Sequence, residues 1–131
     1  RRRTVDDLVA GRGPNVPALL TAEPATPVRM ALSTMSSHSV SQLPVVRGGT
    51  CVGSVRESGL MRAVLEDPSV LEHTVESVMG APYPVVDPAT DADEVTRLLR
   101  GNAAVLVGSG GKLSGIVTRF DAVGALAQPG G

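Results

Sequence analysis

Aromatic residues are nearly absent from this chain of 131 residues, which has no tryptophan, one tyrosine and one phenylalanine. So few rings give no platform on which the bases of a single-stranded nucleic acid could stack. The formal net charge of −1 also provides no broad basic surface for a phosphate backbone. We therefore do not expect nucleic acid as a partner.

Cysteine is almost as scarce, since Cys51 is the only one. An intrachain disulfide and a cysteine-rich metal site are both excluded, and His38 and His73 have no partners at metal-ligand spacing. The chain also lacks a run of about 18 apolar residues and a signal-peptide pattern. We expect no membrane association and a cytoplasmic location. The absence of an initial methionine is typical of a fragment of a longer protein.

Apolar residues are plentiful, at 42% of the chain, with valine foremost. This composition favours buried strands. Two halves of the chain, from about Val16 to Leu65 and from about Val75 to Ala127, then follow the same order. Each opens with a short apolar segment and the tripeptide Pro-Ala-Thr, at residues 24–26 and 88–90.

Each half continues with a helix of apolar spacing, two strands around a glycine-rich turn, and a second helix. The predicted strands and final helices are 43–46, 51–55 and 57–65 in the first half, and 103–107, 113–117 and 119–126 in the second. The order strand–helix–strand–strand–helix therefore occurs twice, which predicts an α+β fold. Because neither half can bury its own sheet, we expect the sheets to pack together about a pseudo-twofold axis.

Helix signals and breaks set the expected domain borders. Thr4 begins a short helix that reaches Ala10, Thr26 is the expected N-cap of the next helix, and Pro27 suits its first position. A further short helix is expected near Leu71. We predict a linker with the N-terminal helix at 1–15, repeat 1 at 16–66, a connection at 67–74, repeat 2 at 75–128 and a tail at 129–131.

Thr118 and Asp121 stand where the last predicted strand meets the last predicted helix. A carboxylate in the first helical turn stays ionised, and its two oxygens can accept hydrogen bonds from the 2′- and 3′-hydroxyls of a ribose. The spacing Thr-x-x-acid is equally typical of a capping box that only stabilises the helix. The residues alone leave both interpretations open.

The two repeats resemble a pair of CBS domains, also called a Bateman module. The segment Gly115–Asp121 is similar to the family's strand-to-helix signature: Gly, two apolar residues, Thr, two variable residues and Asp. The segment Val40–Val46 resembles its helix-to-strand junction, and Gly53–Val55 is a weaker counterpart in the first half. The resemblance extends from Val16 to Ala127. It implies a non-catalytic regulatory module that binds an adenosyl compound and forms a homodimer.

In this family the ribose-binding Asp of one repeat works with the junction of the other. The resemblance therefore implies an adenine pocket opposite Asp121, with Phe120 either touching the ligand or packing. Its lining residues would be Val40, Ser41 and Gln42, with an apolar wall from Ala18, Leu19 and Leu20. Ordinary core packing is the alternative for these residues. Arg56 and Gly59 replace the Thr and Asp of the signature in the first half, so the matching site is expected to be empty or altered.

A closer resemblance, carried by Val40–Val46 and by residues 53–58, is to the C-terminal regulatory region of bacterial cystathionine β-synthase. It implies a parent chain with a pyridoxal-phosphate catalytic domain and favours S-adenosylmethionine as the ligand. AMP or ATP is the second candidate, with Arg119, Arg56 and His38 as cations for a phosphate. We predict no catalytic residue, no metal site and no cofactor in this chain. A structural dimerisation module without a ligand is the alternative function.

Overall fold

The computed structural model describes residues 2–12 and 18–127. They form two compact units. The middle unit is Leu20–Pro82, and the terminal unit combines the described residues of Arg1–Leu19 and Tyr83–Gly131. The predicted tail at 129–131 lies outside the described residues. Among those that are described, no helix is both long and apolar enough to cross a bilayer.

The middle unit is a two-stranded antiparallel sheet flanked by helices. Its elements are α2 (Val28–His38), β1 (Gln42–Arg47), β2 (Thr50–Arg56) and α3 (Glu57–Glu66). Two short 3-10 helices follow, at Pro68–Glu72 and Val75–Ser77. The β1–β2 turn holds Gly48 at φ 57° and Gly49 at φ 83°, a left-handed conformation that favours glycine.

The terminal unit contains a three-stranded mixed sheet and helices. The elements are α1 (Val5–Val9), β3 (Val85–Val86), α4 (Ala92–Leu99), β4 (Ala104–Ser109), β5 (Lys112–Thr118) and α5 (Arg119–Ala127). The strand order is β3–β4–β5, in which β3 pairs parallel with β4 and β4 pairs antiparallel with β5. The N-terminal segment joins this unit, because the amide of Ala92 donates to the carbonyl of Arg3 at 2.9 Å.

Each unit has its own apolar core, made mainly of aliphatic side chains. In the middle unit the fully buried residues include Val28, Met35, Leu43, Val45 and Val75. In the terminal unit Val95, Val105 and Val117 are fully buried. The valine-rich composition thus supplies the sheet faces, and the predicted α+β class is confirmed.

Local differences from the sequence predictions have simple physical causes. The N-cap of α2 is Pro27 rather than Thr26, because the Thr26 hydroxyl instead accepts the amide of Glu23 at 3.0 Å and closes the preceding turn. The strand expected to open the first half is reduced to one bridge between Ala22 and Val45. The short helix expected near Leu71 is present as a 3-10 helix.

Candidate functional site

Thr118 is the last residue of β5, and Asp121 lies in the first turn of α5. The amide and the hydroxyl of Thr118 both donate to Oδ2 of Asp121, at 2.8 and 3.0 Å. The amide of Asp121 donates back to the Thr118 hydroxyl at 3.3 Å. The two residues therefore form the reciprocal capping arrangement that their spacing predicts.

Arg12 is a third member of this cluster that the sequence analysis missed. Its Nε donates to Oδ1 of Asp121 at 2.9 Å and its Nη2 donates to Oδ2 at 2.5 Å, a two-pronged ion pair. The same Nη2 also donates to the carbonyl of Ile116. Arg12 and Asp121 are 109 residues apart, so no local spacing could have signalled the contact.

The carboxyl of Asp121 is ionised although its side chain is only 8% exposed. Burial acts to raise its pKa, but the hydrogen bonds and charge of Arg12 and the hydrogen bonds from Thr118 outweigh that effect. The pKa of Asp121 consequently lies below its ordinary value. The beginning of α5 therefore holds an ionised carboxylate that is paired with the guanidinium of Arg12.

Among the other predicted site residues of the terminal unit, Ala18 contacts the strand that leads into this junction. The carbonyl of Ala18 accepts the amide of Ile116 at 3.1 Å, and Leu19 is half-buried. Phe120 is 87% exposed, so it does not pack into the core. Arg119, a predicted phosphate cation, instead donates through Nε to the carbonyl of Leu99 at 2.7 Å, at the end of α4.

The remaining predicted residues belong to the middle unit. Val40 is half-buried and packs on its core, as does Leu20. The carbonyl of Ser41 accepts the amide of Glu57 at 2.9 Å, while its hydroxyl donates to Oε1 of Gln42 at 3.0 Å. These contacts fix the α2–β1 junction in place within its own unit.

The first repeat has glycine at the position that corresponds to Asp121. Arg56 is the exposed N-cap of α3, and Gly59 lies exposed in the first helical turn. Nothing lies within 4 Å of where a Cβ on Gly59 would be. The carboxylate of this turn belongs instead to Glu57, two residues before Gly59.

Lys112 and the possible metal-ligating side chains other than Asp121 lie outside this site. Lys112 follows Gly110 and Gly111, which have φ values of 61° and 79° in the hairpin turn between β4 and β5. Within residues 2–12 and 18–127, no three His, Cys, Asp or Glu side chains converge so as to hold a metal ion.

A groove of about 450 Å³ opens on the middle unit, where Pro24, Ala25 and Val46 form part of its lining. Charged side chains line it, among them Glu23, Arg47 and Glu76. Arg47 and Glu76 form an ion pair with each other.

Comparison with known proteins extends this picture. A family model of the CBS domain matches residues 15–66 and 75–128. Inosine-5′-monophosphate dehydrogenase from Thermoplasma acidophilum is 33% identical over 106 residues, which are 79% of this chain and 21% of that protein. The chain thus spans about a fifth of the length of this curated relative.

Two solved structures are similar over almost the whole chain. A protein with CBS domains from Burkholderia ambifaria MC40-6 is 26% identical, with a TM-score of 0.80 over 95% of this chain and 94% of that one. CBSX2, a CBS-pair protein of Arabidopsis thaliana, was solved in complex with AMP. The CBSX2 chain in that complex is 27% identical to this chain in sequence, with a TM-score of 0.71 over 94% of this chain and 95% of the CBSX2 chain. Two matches to the domain model, each containing one strand–strand–helix junction, show that the chain belongs to the CBS domain family and carries a pair of CBS domains.

Proposed function

We propose that this CBS pair is a regulatory module that binds AMP and controls an attached or partner enzyme. Asp121 accepts hydrogen bonds from both ribose hydroxyls, and Thr118 contributes its hydroxyl beside them. The observation that carries this proposal is the ionised carboxylate at the start of α5, on the last residue of the segment Gly115–Asp121. An ionised carboxylate is a pure acceptor, which suits two adjacent hydroxyl donors.

AMP is preferred to S-adenosylmethionine on two grounds. The resemblance to cystathionine β-synthase favours S-adenosylmethionine, but the relatives reported above are an inosine-monophosphate dehydrogenase and proteins with CBS domains, one of them with AMP. Charge also matters, because the Arg12 guanidinium lies 2.5 Å from the carboxylate of Asp121. A phosphate near that guanidinium is attracted, whereas a sulfonium cation is repelled.

We propose one nucleotide per chain, because Gly59 stands where the first repeat would need its carboxylate. Contacts of Val40, Ser41 and Gln42 with adenine, and of Ala18 and Leu20 with its apolar side, stay predictions from the family resemblance. A parent with a pyridoxal-phosphate domain of the cystathionine β-synthase type also stays a prediction.

Isothermal titration calorimetry with AMP, ATP and S-adenosylmethionine tests the proposal. We expect AMP to bind with a stoichiometry near one, and at a concentration of 100 times its Kd to stabilise the fold by about 2.7 kcal/mol. Asp121→Ala should abolish this binding. Because that variant also loses the capping bonds and the ion pair, it should lower the free energy of unfolding by about 2 kcal/mol.

Asp91→Ala is the matched control. Asp91 also sits at the start of a helix, where it accepts the amide of Asp93 at 2.9 Å and pairs with Arg2. Its replacement should reduce stability but leave the affinity for AMP unchanged. Equal loss of affinity in both variants would show that damage to the fold, rather than the missing ribose acceptor, explains the result.

The competing function is a structural dimerisation module. No heat of binding and no thermal shift with any of the three adenosyl compounds would favour it and would refute the nucleotide-sensing role. Self-association itself is part of both functions. We propose a homodimer, supported by an exposed apolar strip on α5 formed by Phe120, Val123 and Leu126.

A further inference from the structure

The guanidinium of Arg12 covers both oxygens of the Asp121 carboxylate. Oδ1 accepts from Arg12 at 2.9 Å, and Oδ2 accepts from Arg12 at 2.5 Å and from the Thr118 amide and hydroxyl at 2.8 and 3.0 Å. Each carboxylate oxygen has about two lone-pair positions, so Oδ2 is fully used and Oδ1 keeps about one position. Two ribose hydroxyls can therefore bind this carboxylate only after the guanidinium of Arg12 has left.

Arg12 is the outer partner of this pair and comes from a separate segment. Its side chain is 18% exposed, whereas that of Asp121 is 8% exposed. Arg12 lies in the turn after α1, where its amide donates to the carbonyl of Val9 at 3.1 Å. α1 itself packs against α5, α4 and β5. The N-terminal segment thus places the guanidinium of Arg12 on the carboxylate that is proposed to bind the ribose.

We propose that Arg12 is an autoinhibitory latch, whose guanidinium competes with the ribose hydroxyls of a nucleoside for the carboxylate of Asp121. The latch rests on the proposed function, since it regulates the same site. Only the fraction of molecules with Arg12 released can bind, so the apparent dissociation constant is the intrinsic one divided by that fraction. By linkage, a bound nucleotide also holds Arg12 away from Asp121.

The latch differs from an ordinary surface ion pair in two respects. Arg12 engages both carboxylate oxygens from a partly buried position, a geometry that makes charged hydrogen bonds strong. Arg2 provides the contrast, because it pairs with Asp91 through one nitrogen at 2.9 Å with side chains 70% and 38% exposed. Such an exposed pair contributes little.

Calorimetric titration with adenosine tests the latch. Adenosine carries the ribose but no phosphate, so the released guanidinium cannot compensate by pairing with the ligand. Arg12→Ala should bind adenosine about tenfold more tightly than the unsubstituted chain, which corresponds to about 1.4 kcal/mol. Arg12→Lys, which keeps the charge but cannot bridge both oxygens, should show a smaller gain. Arg2→Ala, the matched control, should bind as the unsubstituted chain does.

The outcomes separate the latch from the proposed function. Binding of AMP that depends on Asp121, together with unchanged or weaker adenosine affinity in Arg12→Ala, would refute the latch and leave the nucleotide site standing. Absence of adenosyl binding in the unsubstituted chain and in both Arg12 variants would refute both proposals. Circular dichroism and thermal melting establish that each variant is folded at the titration temperature.

A spectroscopic measurement adds a readout that a purely structural arginine would not move. In the free protein the Nε proton of Arg12 is held by Asp121, so its exchange with water should be slow. Saturating adenosine, which offers no phosphate to the released guanidinium, should accelerate that exchange and shift the Nε resonance. An Arg12 signal unchanged by bound adenosine would contradict the latch. The Nε signal of Arg97, which pairs with Glu94 on the exposed face of α4, serves as the internal reference.

Discussion

Two glycines of the middle unit, Gly53 and Gly59, lie in surroundings that predict opposite effects of the same substitution. A Cβ on Gly59 meets nothing within 4 Å, so Gly59→Ala should raise the free energy of unfolding by about 0.5–1 kcal/mol by stiffening the unfolded chain. A Cβ on Gly53 would lie 2.8 Å from Cγ of Met79 and 3.0 Å from the carbonyl of Gly80. Gly53→Ala should therefore lower the free energy of unfolding by about 1–3 kcal/mol.

Urea denaturation of the two variants checks this pair of predictions. The midpoint should rise for Gly59→Ala and fall for Gly53→Ala, with equal slopes if neither alters the denatured state. A midpoint for Gly53→Ala at or above that of the unsubstituted chain would show that Met79 and the backbone at Gly80 can move aside at no cost.

For single residues, a contact can be predicted from the sequence when its partners are close along the chain, but not when they are far apart. The pairing of Thr118 with Asp121 is local, and the spacing of the two residues predicts it. Arg12 meets the same carboxylate from 109 residues away, and only the fold brings it there. Arg119 is a predicted phosphate cation because of its charge, but from the first position of α5 its side chain donates to the carbonyl of Leu99 at the end of α4.

Helix α5 depends on the charge of its first turn, which makes its stability sensitive to acid. The pKa of Asp121 is lower in the folded chain than its ordinary value of 3.8. Its contribution is therefore complete above that ordinary value and is lost as the pH falls through the lower, folded pKa. We expect the unsubstituted chain to lose stability below about pH 4 more steeply than Asp121→Asn.

Comparison of the two proteins by denaturation between about pH 2 and pH 6 isolates Asp121, given its ordinary pKa near 4. Asp67 and Glu94 also have lowered pKa values, but they are present in both proteins and their effects cancel in the difference. Parallel pH profiles of the two proteins would show that Asp121 has the same pKa in the folded and unfolded states. That result would contradict the lowering of its pKa by the hydrogen bonds of Arg12 and Thr118.

Elements were predicted well where their signal lies within the segment. The predicted helix at 119–126 is observed as Arg119–Ala127, and the predicted strand at 113–117 as Lys112–Thr118. The strand expected at the start of the first half is not formed, because the segment pairs with β1 over too short a stretch. There only the amide of Ala22 and the amide of Val46 exchange bonds, at 2.9 and 2.8 Å, with the carbonyls of Pro44 and Ala22.

For the whole molecule, the sequence repeats and the compact units divide the chain differently. The family model follows the repeats at 15–66 and 75–128, whereas the terminal unit joins Arg1–Leu19 to Tyr83–Gly131. The bonds of Ala18 to Ile116 and of Arg12 to Asp121 hold these distant segments together. Apolar periodicity predicts the α+β class, but it does not reveal which terminal segment completes which sheet.

Self-association through α5 is the prediction that belongs to this scale. Phe120, Val123 and Leu126 fall within an arc of about 120° on the helix and are 87%, 64% and 67% exposed. Ala122, four residues before Leu126, is buried and lies just outside this arc. The formal net charge of −1 gives little electrostatic resistance to association. We therefore expect a dimer in which the strip on α5 is covered by a second copy of the chain.

Phe120→Glu should convert that dimer into a monomer, because a carboxylate inside an apolar interface must be desolvated without a partner. Sedimentation equilibrium across a range of protein concentrations measures the change, with an expected weakening of dimerisation by at least tenfold. Met30→Glu is the matched control, since Met30 is an exposed apolar residue on α2 outside the strip. A monomeric unsubstituted chain, or equal weakening by both variants, would rule out α5 as the interface. A monomeric Phe120→Glu variant that still binds AMP would also separate association from ligand sensing, because Asp121 faces away from the strip on the same helix.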